Sequence, residues 1–138
     1  MKILFMCVAN SARSQLAEGL ARQVFPLAEI ESAGSHPAHL NPFAVRVMKE
    51  IGIDISNHHS KSVDDLSPQF IAGLDYVITL CAEEVCPLIV SKATKLHWPL
   101  SDPASKEPLA EDVMLQRFRQ ARDAIHQRLK EFKKEMQK

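Results

Sequence analysis

Residues 2–26 read KILFMCVANSARSQLAEGLARQVFP, and the change of pattern inside this stretch decides the fold. Lys2 to Met6 carries Ile, Leu, Phe and Met at both parities, as in a strand covered on both faces. From Ser14 onward Leu16, Ala17, Leu20, Ala21, Val24 and Phe25 recur at helical spacing until Pro26 stops the pattern. A buried strand that passes through a short loop into an amphipathic helix is the opening of a parallel crossover unit.

Outward from this unit the alternation continues. A second strand is predicted over Glu29 to Ala33, ending at Gly34. Asn41 as N-cap and Pro42 at the first helical position start a second helix, which turns Ala44, Val45, Val47, Met48 and Ile51 inward. Gly52 then stands where a left-handed helix terminator belongs. Ile53 to Leu66 is polar and carries no clear period, and Pro68 to Ala72 is a candidate short helix. Asp75 to Leu80 (DYVITL) reads as a buried strand and Lys95 to Trp98 as a short one. Glu111 to Lys134 aligns Leu115, Phe118, Ala121, Ile125, Leu129 and Phe132 on one helical stripe. The expected architecture is an α/β fold in a single three-layer domain spanning residues 1–138, a small parallel sheet flanked by helices. Ligands of such sheets collect at the carboxyl ends of the strands, where Cys7, Cys81 and Asp102 would share one rim.

Composition narrows the function. Lys plus Arg and Asp plus Glu number 17 each in 138 residues, so no global field favours nucleic acid or an anionic membrane. The apolar run Ile3 to Ala9 is far below the roughly 20 residues that cross a bilayer, and it lacks a signal-peptide cleavage site. A cytoplasmic monomer is expected, with no nucleic-acid or membrane partner. Three cysteines in that setting are thiols with chemistry to perform rather than a disulfide framework.

Cys7-Val8-Ala9-Asn10-Ser11-Ala12-Arg13-Ser14 joins strand to helix. Unpaired N–H groups and the positive dipole end of a helix start suit a tetrahedral oxyanion. Arg13 adds a planar fork for two of its oxygens. Ser14 can donate to the Cys7 sulfur, and Asn10 can brace the loop. An ordinary cysteine is roughly 3% thiolate at pH 7. A helix N-terminus beside an arginine favours the ionised form, so nucleophile and bound anion would coincide. The substrate-binding residues are therefore expected to be Val8, Ala9, Asn10, Ser11, Ala12, Arg13 and Ser14.

Cys-x5-Arg-Ser after a buried strand resembles the active-site loop of the low-molecular-weight protein tyrosine phosphatase superfamily. The wider stretch CVANSARSQLAEGLAR is similar to its arsenate reductase branch. Ala9 stands where family loops commonly carry Gly, a difference that matters only if the position needs a positive φ. In Ser101-Asp102-Pro103-Ala104 the carboxyl can protonate a departing oxygen, and the resemblance implies that Asp102 is the general acid. Phosphatases of the superfamily follow Asp-Pro with an aromatic residue that stacks on phosphotyrosine. Ala104 and Ser105 occupy those positions here, which suits a small inorganic oxyanion.

Arsenate reduction requires two electrons, which a pair of thiols closing into a disulfide supplies. Cys81 and Cys86 provide the pair, against the alternatives of two buried small hydrophobes or a zinc site with His97. The resemblance implies a relay. Cys7 attacks arsenate while Asp102 protonates the leaving oxygen, Cys81 attacks Cys7 and releases arsenite, and Cys86 attacks Cys81. Thioredoxin, or a glutathione/glutaredoxin system, then reduces the product disulfide. The alternative is a phosphatase for phosphotyrosine or another phosphomonoester using Cys7 and Asp102, in which Cys81 and Cys86 would be superfluous.

Asn10, Glu18 and Ser32 match a monovalent-cation site of some relatives, but Lys61 falls where a further carboxylate is expected. A built-in ammonium would replace the ion, and no metal or cofactor is expected. His36, His39 and the pair His58-His59 are expected at the surface, and the basic stretch from Arg117 to Lys138 as a solvated helix face.

Overall fold

A computed structural model describes residues 1–82, 91–105 and 107–137. Four strands, β1 (Lys2–Cys7), β2 (Glu29–Gly34), β3 (Tyr76–Thr79) and β4 (Thr94–His97), form a sheet in the order β2-β1-β3-β4. Every pairing is parallel. Among the described residues four helices, α1 (Arg13–Val24), α2 (Pro42–Lys49), α3 (Pro68–Ala72) and α4 (Glu111–Met136), cover it.

The alternation of β1 explains the layers. Ile3 and Phe5 face one side, joining Leu16 and Leu20 of α1, Val47 and Met48 of α2, and Phe118, Ile125 and Leu129 of α4. Leu4 and Met6 face the other side, with Ala33, Val77, Phe70 of α3 and Leu74. All four of these β1 side chains are fully buried, which is why β1 is apolar at both parities. Phe132 anchors the far end of α4 among Trp98, Tyr76 and Phe25, with ring centroids 5.1–5.8 Å apart.

The sequence expectations hold with local corrections. Asn41 caps α2 by accepting from the Phe43 amide, and Gly52 takes φ of 80°. Ile51, expected inward, is exposed, because α2 ends at Lys49 and the chain turns away before it. The region without a clear period contains a single 3-10 turn, Val63–Asp65, held by reciprocal bonds between Ser62 and Asp65. The solvated-face reading fails at Arg122, which is buried and donates to the Val47 carbonyl and to Glu50. Among the described residues no helix is long and apolar enough to cross a membrane.

Candidate active site

Strand register brings the sequence-predicted residues to one edge. Cys7 ends β1, and the neighbouring strand β3 runs parallel to it with Met6 opposite Thr79. The Leu80 amide continues this pairing onto the Met6 carbonyl at 2.9 Å. Cys81 therefore follows at the same carboxyl edge, one strand over from Cys7, and both cysteines are buried. Cys7 is a free thiol, whereas Cys81 is disulfide-bonded. Cys86 lies outside the described residues.

The loop between β1 and α1 is shaped from outside. The carbonyl of Val8 accepts from the His36 amide, that of Ala9 from Ala38, and that of Ser11 from Asn41, at 2.9–3.1 Å. The Asn10 carbonyl accepts from Ser60 Oγ and Gln15 Nε2. In a trans peptide the N–H points opposite to the C=O of the same plane. Fixing four carbonyls outward therefore turns the amides of Ala9, Asn10, Ser11 and Ala12 to the inner side, as an anion cradle requires. Ala12 stands at the N-cap of α1 without a side-chain cap, so the helix start stays open to a ligand.

Two backbone details permit this shape. Asn10, not Ala9, takes the left-handed conformation, with φ of 48°, so the alanine departure from the family pattern introduces no strain at position 9. Gly34, paired with Cys7, leaves no room for a side chain: a Cβ there would lie 2.4 Å from the Val8 carbonyl oxygen. The end of β2 thus presses directly on the loop.

Cys7 Sγ lies 2.9 Å from Ser14 Oγ, which accepts from Asn10 Nδ2 at 2.7 Å. A thiolate has no proton to give, so with Cys7 ionised the Ser14 hydroxyl is the donor of this bond. Asn10 Oδ1 in turn accepts from Gln15 Nε2, and Gln15 Oε1 accepts from His58 Nδ1, each at 3.0 Å. From His58 through Gln15 and Asn10 each donor points toward Ser14, and a Cys7 thiolate receives the last bond of the chain from the Ser14 hydroxyl. Such polarity favours negative charge on the sulfur.

Gln15 and His58 were missed from the sequence, and the surface reading of His58 is wrong. Its side chain is 18% exposed and sits 3.4 Å from Glu18 Oε2. Burial pushes the imidazole below its ordinary pKa, with Glu18 opposing, so the ring is neutral. His36, His39 and His59 are exposed as expected.

Glu18 is itself buried, and it accepts from Ser32 Oγ at 2.7 Å and pairs with Arg22 at 3.1 Å. Lys61 Nζ lies 3.4 Å from Glu18 and 3.6 Å from Glu31. The lysine ammonium thus sits beside the carboxylate that the sequence reading associated with a cation.

Arg13 links the loop after β1 to the loop that carries Asp102. Its side chain is 5% exposed, and Nη1 donates to the Leu100 carbonyl at 3.0 Å while Nη2 lies 4.0 Å from Asp102 Oδ2. The Asp102 carboxylate accepts from the Ala104 amide through Oδ1 and is half exposed. No aromatic ring follows Pro103, and Tyr76 packs against Phe132. The structure therefore gathers Cys7, Arg13, Ser14 and Asp102 around one loop.

The family described as low molecular weight phosphotyrosine protein phosphatase matches residues 2–138. The chain belongs to that family. Within it, the chain is similar to arsenate reductase 2 of Staphylococcus saprophyticus, with 41% identity covering 94% of each chain. Among solved structures it resembles an arsenate reductase from Archaeoglobus fulgidus, with TM-score 0.78 and 26% identity over 95% of this chain and 98% of that one. A thioredoxin-dependent arsenate reductase of Corynebacterium glutamicum superposes with TM-score 0.69 at 30% identity, covering 99% of this chain and 61% of the other. Membership of the phosphatase family fits the four-stranded parallel sheet and the Cys-x5-Arg loop after β1.

Proposed function

We propose that this protein reduces arsenate to arsenite by thiol–disulfide exchange, acting in the cytoplasm as a monomer through one domain spanning residues 1–138. The observation that carries the reading is the redox asymmetry at the sheet edge: Cys7 is free in its anion loop, while Cys81, on the adjoining strand end, is held in a disulfide. A hydrolase has no use for that second cysteine. The arsenate reductases among the relatives, at 41% identity, support the same reading.

The proposed cycle begins with arsenate on the amides of residues 8–14 and on Arg13. The Cys7 thiolate attacks arsenic; an S–As bond forms, an As–O bond breaks, and the oxygen leaves as water with the proton of Asp102. Cys81 then attacks the Cys7 sulfur. The S–As electron pair passes to arsenic, which leaves as arsenite, As(V) having become As(III), and a Cys7–Cys81 disulfide remains. Cys86 attacks Cys81, restoring the Cys7 thiolate and closing a Cys81–Cys86 disulfide, which an external dithiol of the thioredoxin or glutaredoxin class reduces.

The test is NADPH consumption coupled through thioredoxin and its reductase, with and without arsenate. Arsenate-dependent oxidation is expected from the native chain and none from Cys7→Ser or Cys81→Ser. Arsenate-independent behaviour combined with brisk aryl phosphate hydrolysis would replace the reductase by a phosphatase.

A further inference from the structure

Asp102 can protonate a leaving oxygen only if its loop holds the carboxyl over the Cys7 cradle. The loop has little ladder of its own to do so. Leu100 N bonds to the Leu80 carbonyl at the sheet edge, but Pro103 has no amide hydrogen, and the Ala104 amide is turned back onto Asp102 Oδ1. The main-chain carbonyls of Asp102 and Ala104 point toward α4. There Arg117 Nη2 donates to both, at 3.3 Å each. Arg117 borders a hollow of about 330 Å³ lined also by Ser101, Asp102, Pro103 and Gln120.

We propose that Arg117 is a positioning residue for the general acid. It grips the peptide on either side of Pro103 and so sets the depth at which the Asp102 carboxyl meets the leaving oxygen. This inference rests on the proposed reductase reading and extends it to a residue that α4 supplies from outside the cradle. The loop is then pinned by two arginines with separate tasks. Arg13 holds the Leu100 carbonyl and faces the anion, while Arg117 holds the two carbonyls flanking Pro103 and does not belong to the anion loop. Arg117 Nη2 carries two N–H bonds in a fixed plane, one available for each carbonyl, a direction that the freely rotating ammonium of lysine reproduces only in part.

A role exercised through Asp102 has a signature that loss of fold lacks. Arg117→Ala should lower kcat for arsenate in the thioredoxin-coupled assay about tenfold, a part of the roughly 10²–10⁴ that general acid catalysis supplies. KM for arsenate should change by less than about twofold, because the cradle is intact. In an Asp102→Asn background the same substitution should have almost no further effect. Arg117→Lys should recover part of the loss. The two substitutions are also measured on aryl phosphates, where the Arg117→Ala loss should be larger for phenyl than for 4-nitrophenyl phosphate, since the poorer leaving group needs the proton more.

Equal losses in the native and the Asp102→Asn backgrounds, a loss confined to KM, or a loss independent of the leaving group would overturn the role of Arg117. A native chain that hydrolyses aryl phosphates but does not reduce arsenate would overturn the reductase reading alone, and Arg117 would then be judged on the leaving-group comparison. A native chain that catalyses neither reaction overturns both.

Discussion

The Ser14 hydroxyl oxygen lies 2.9 Å from the Cys7 sulfur while accepting a hydrogen bond from Asn10 at 2.7 Å, so Ser14 is the donor to the sulfur whenever Cys7 is ionised. A hydrogen bond to a charged group is worth about 1.5–3 kcal/mol. Ser14→Ala should therefore slow alkylation of Cys7 by iodoacetamide at pH 7 at least about tenfold. An unchanged rate would show that Ser14 does not act on the sulfur.

The same chain grades the residues behind Ser14. Gln15 uses its amide nitrogen to fix both oxygens of Asn10, at 3.0–3.1 Å, and its carbonyl to receive His58. Gln15→Leu should weaken arsenate binding and slow Cys7 alkylation, because Asn10 loses a partner in a conformation few residues adopt. His58→Ala, one link further out, should cost only about threefold, since each added bond strengthens its neighbour modestly. Paired rates for Ser14→Ala, Gln15→Leu and His58→Ala give the order directly. A His58 variant as impaired as the Ser14 variant would break the proposed gradient.

What could be read from sequence depended on whether the signal was local. The β1 run, the α1 stripe, the Asn41-Pro42 start and Gly52 are short-range patterns, and each lies where it was expected. The cradle was legible for the same reason, being contiguous from Cys7 to Ser14. Gln15 was not, because its partners in the 58–59 segment lie more than forty positions along the chain, in a stretch with no period. Arg117 and Arg122 were hidden differently. On a helix rich in charges an arginine is ordinarily solvated, and only the fold brings the Ala104 and Val47 carbonyls within their reach. Asp102 stood between these extremes, since an Asp-Pro pair is a common turn until Arg13 is seen 4.0 Å away.

Lys61 carries a prediction about ions. Its ammonium lies 3.4 Å from the buried Glu18 carboxylate. The native chain should turn over arsenate equally in potassium and in sodium salts. Lys61→Met leaves Glu18 with Arg22 and His58, so the loss of stability should be about 1–2 kcal/mol, below that of a fully orphaned buried charge. Potassium should then raise the melting temperature of the variant more than sodium does. Equal response of both chains to the two ions would separate Lys61 from any cation-like role.

The junction of α2 and α4 offers a test by acid. Arg119 chelates the Glu50 carboxylate through contacts of 2.6–3.1 Å, and Arg122 adds one at 2.9 Å, tying the end of α2 to α4. The hydrogen bond from Arg119 is the main reason that the Glu50 pKa is lowered from 4.5 to about 2, with burial opposing and Arg122 assisting. A carboxylate whose folded pKa is depressed contributes stability above its unfolded pKa and loses it as pH falls toward the folded one. Because the Glu50 side chain is 37% exposed, solvent screening holds the contribution to about 1 kcal/mol. That corresponds to about 3 °C for a chain of this size. The melting temperature of the native chain should exceed that of Glu50→Gln by this margin at pH 7. The margin should narrow as pH drops from 4.5 toward 2, the window set by the two pKa values. A difference that stays constant across this window would mean that the arginine pair does not stabilise the charged form of Glu50.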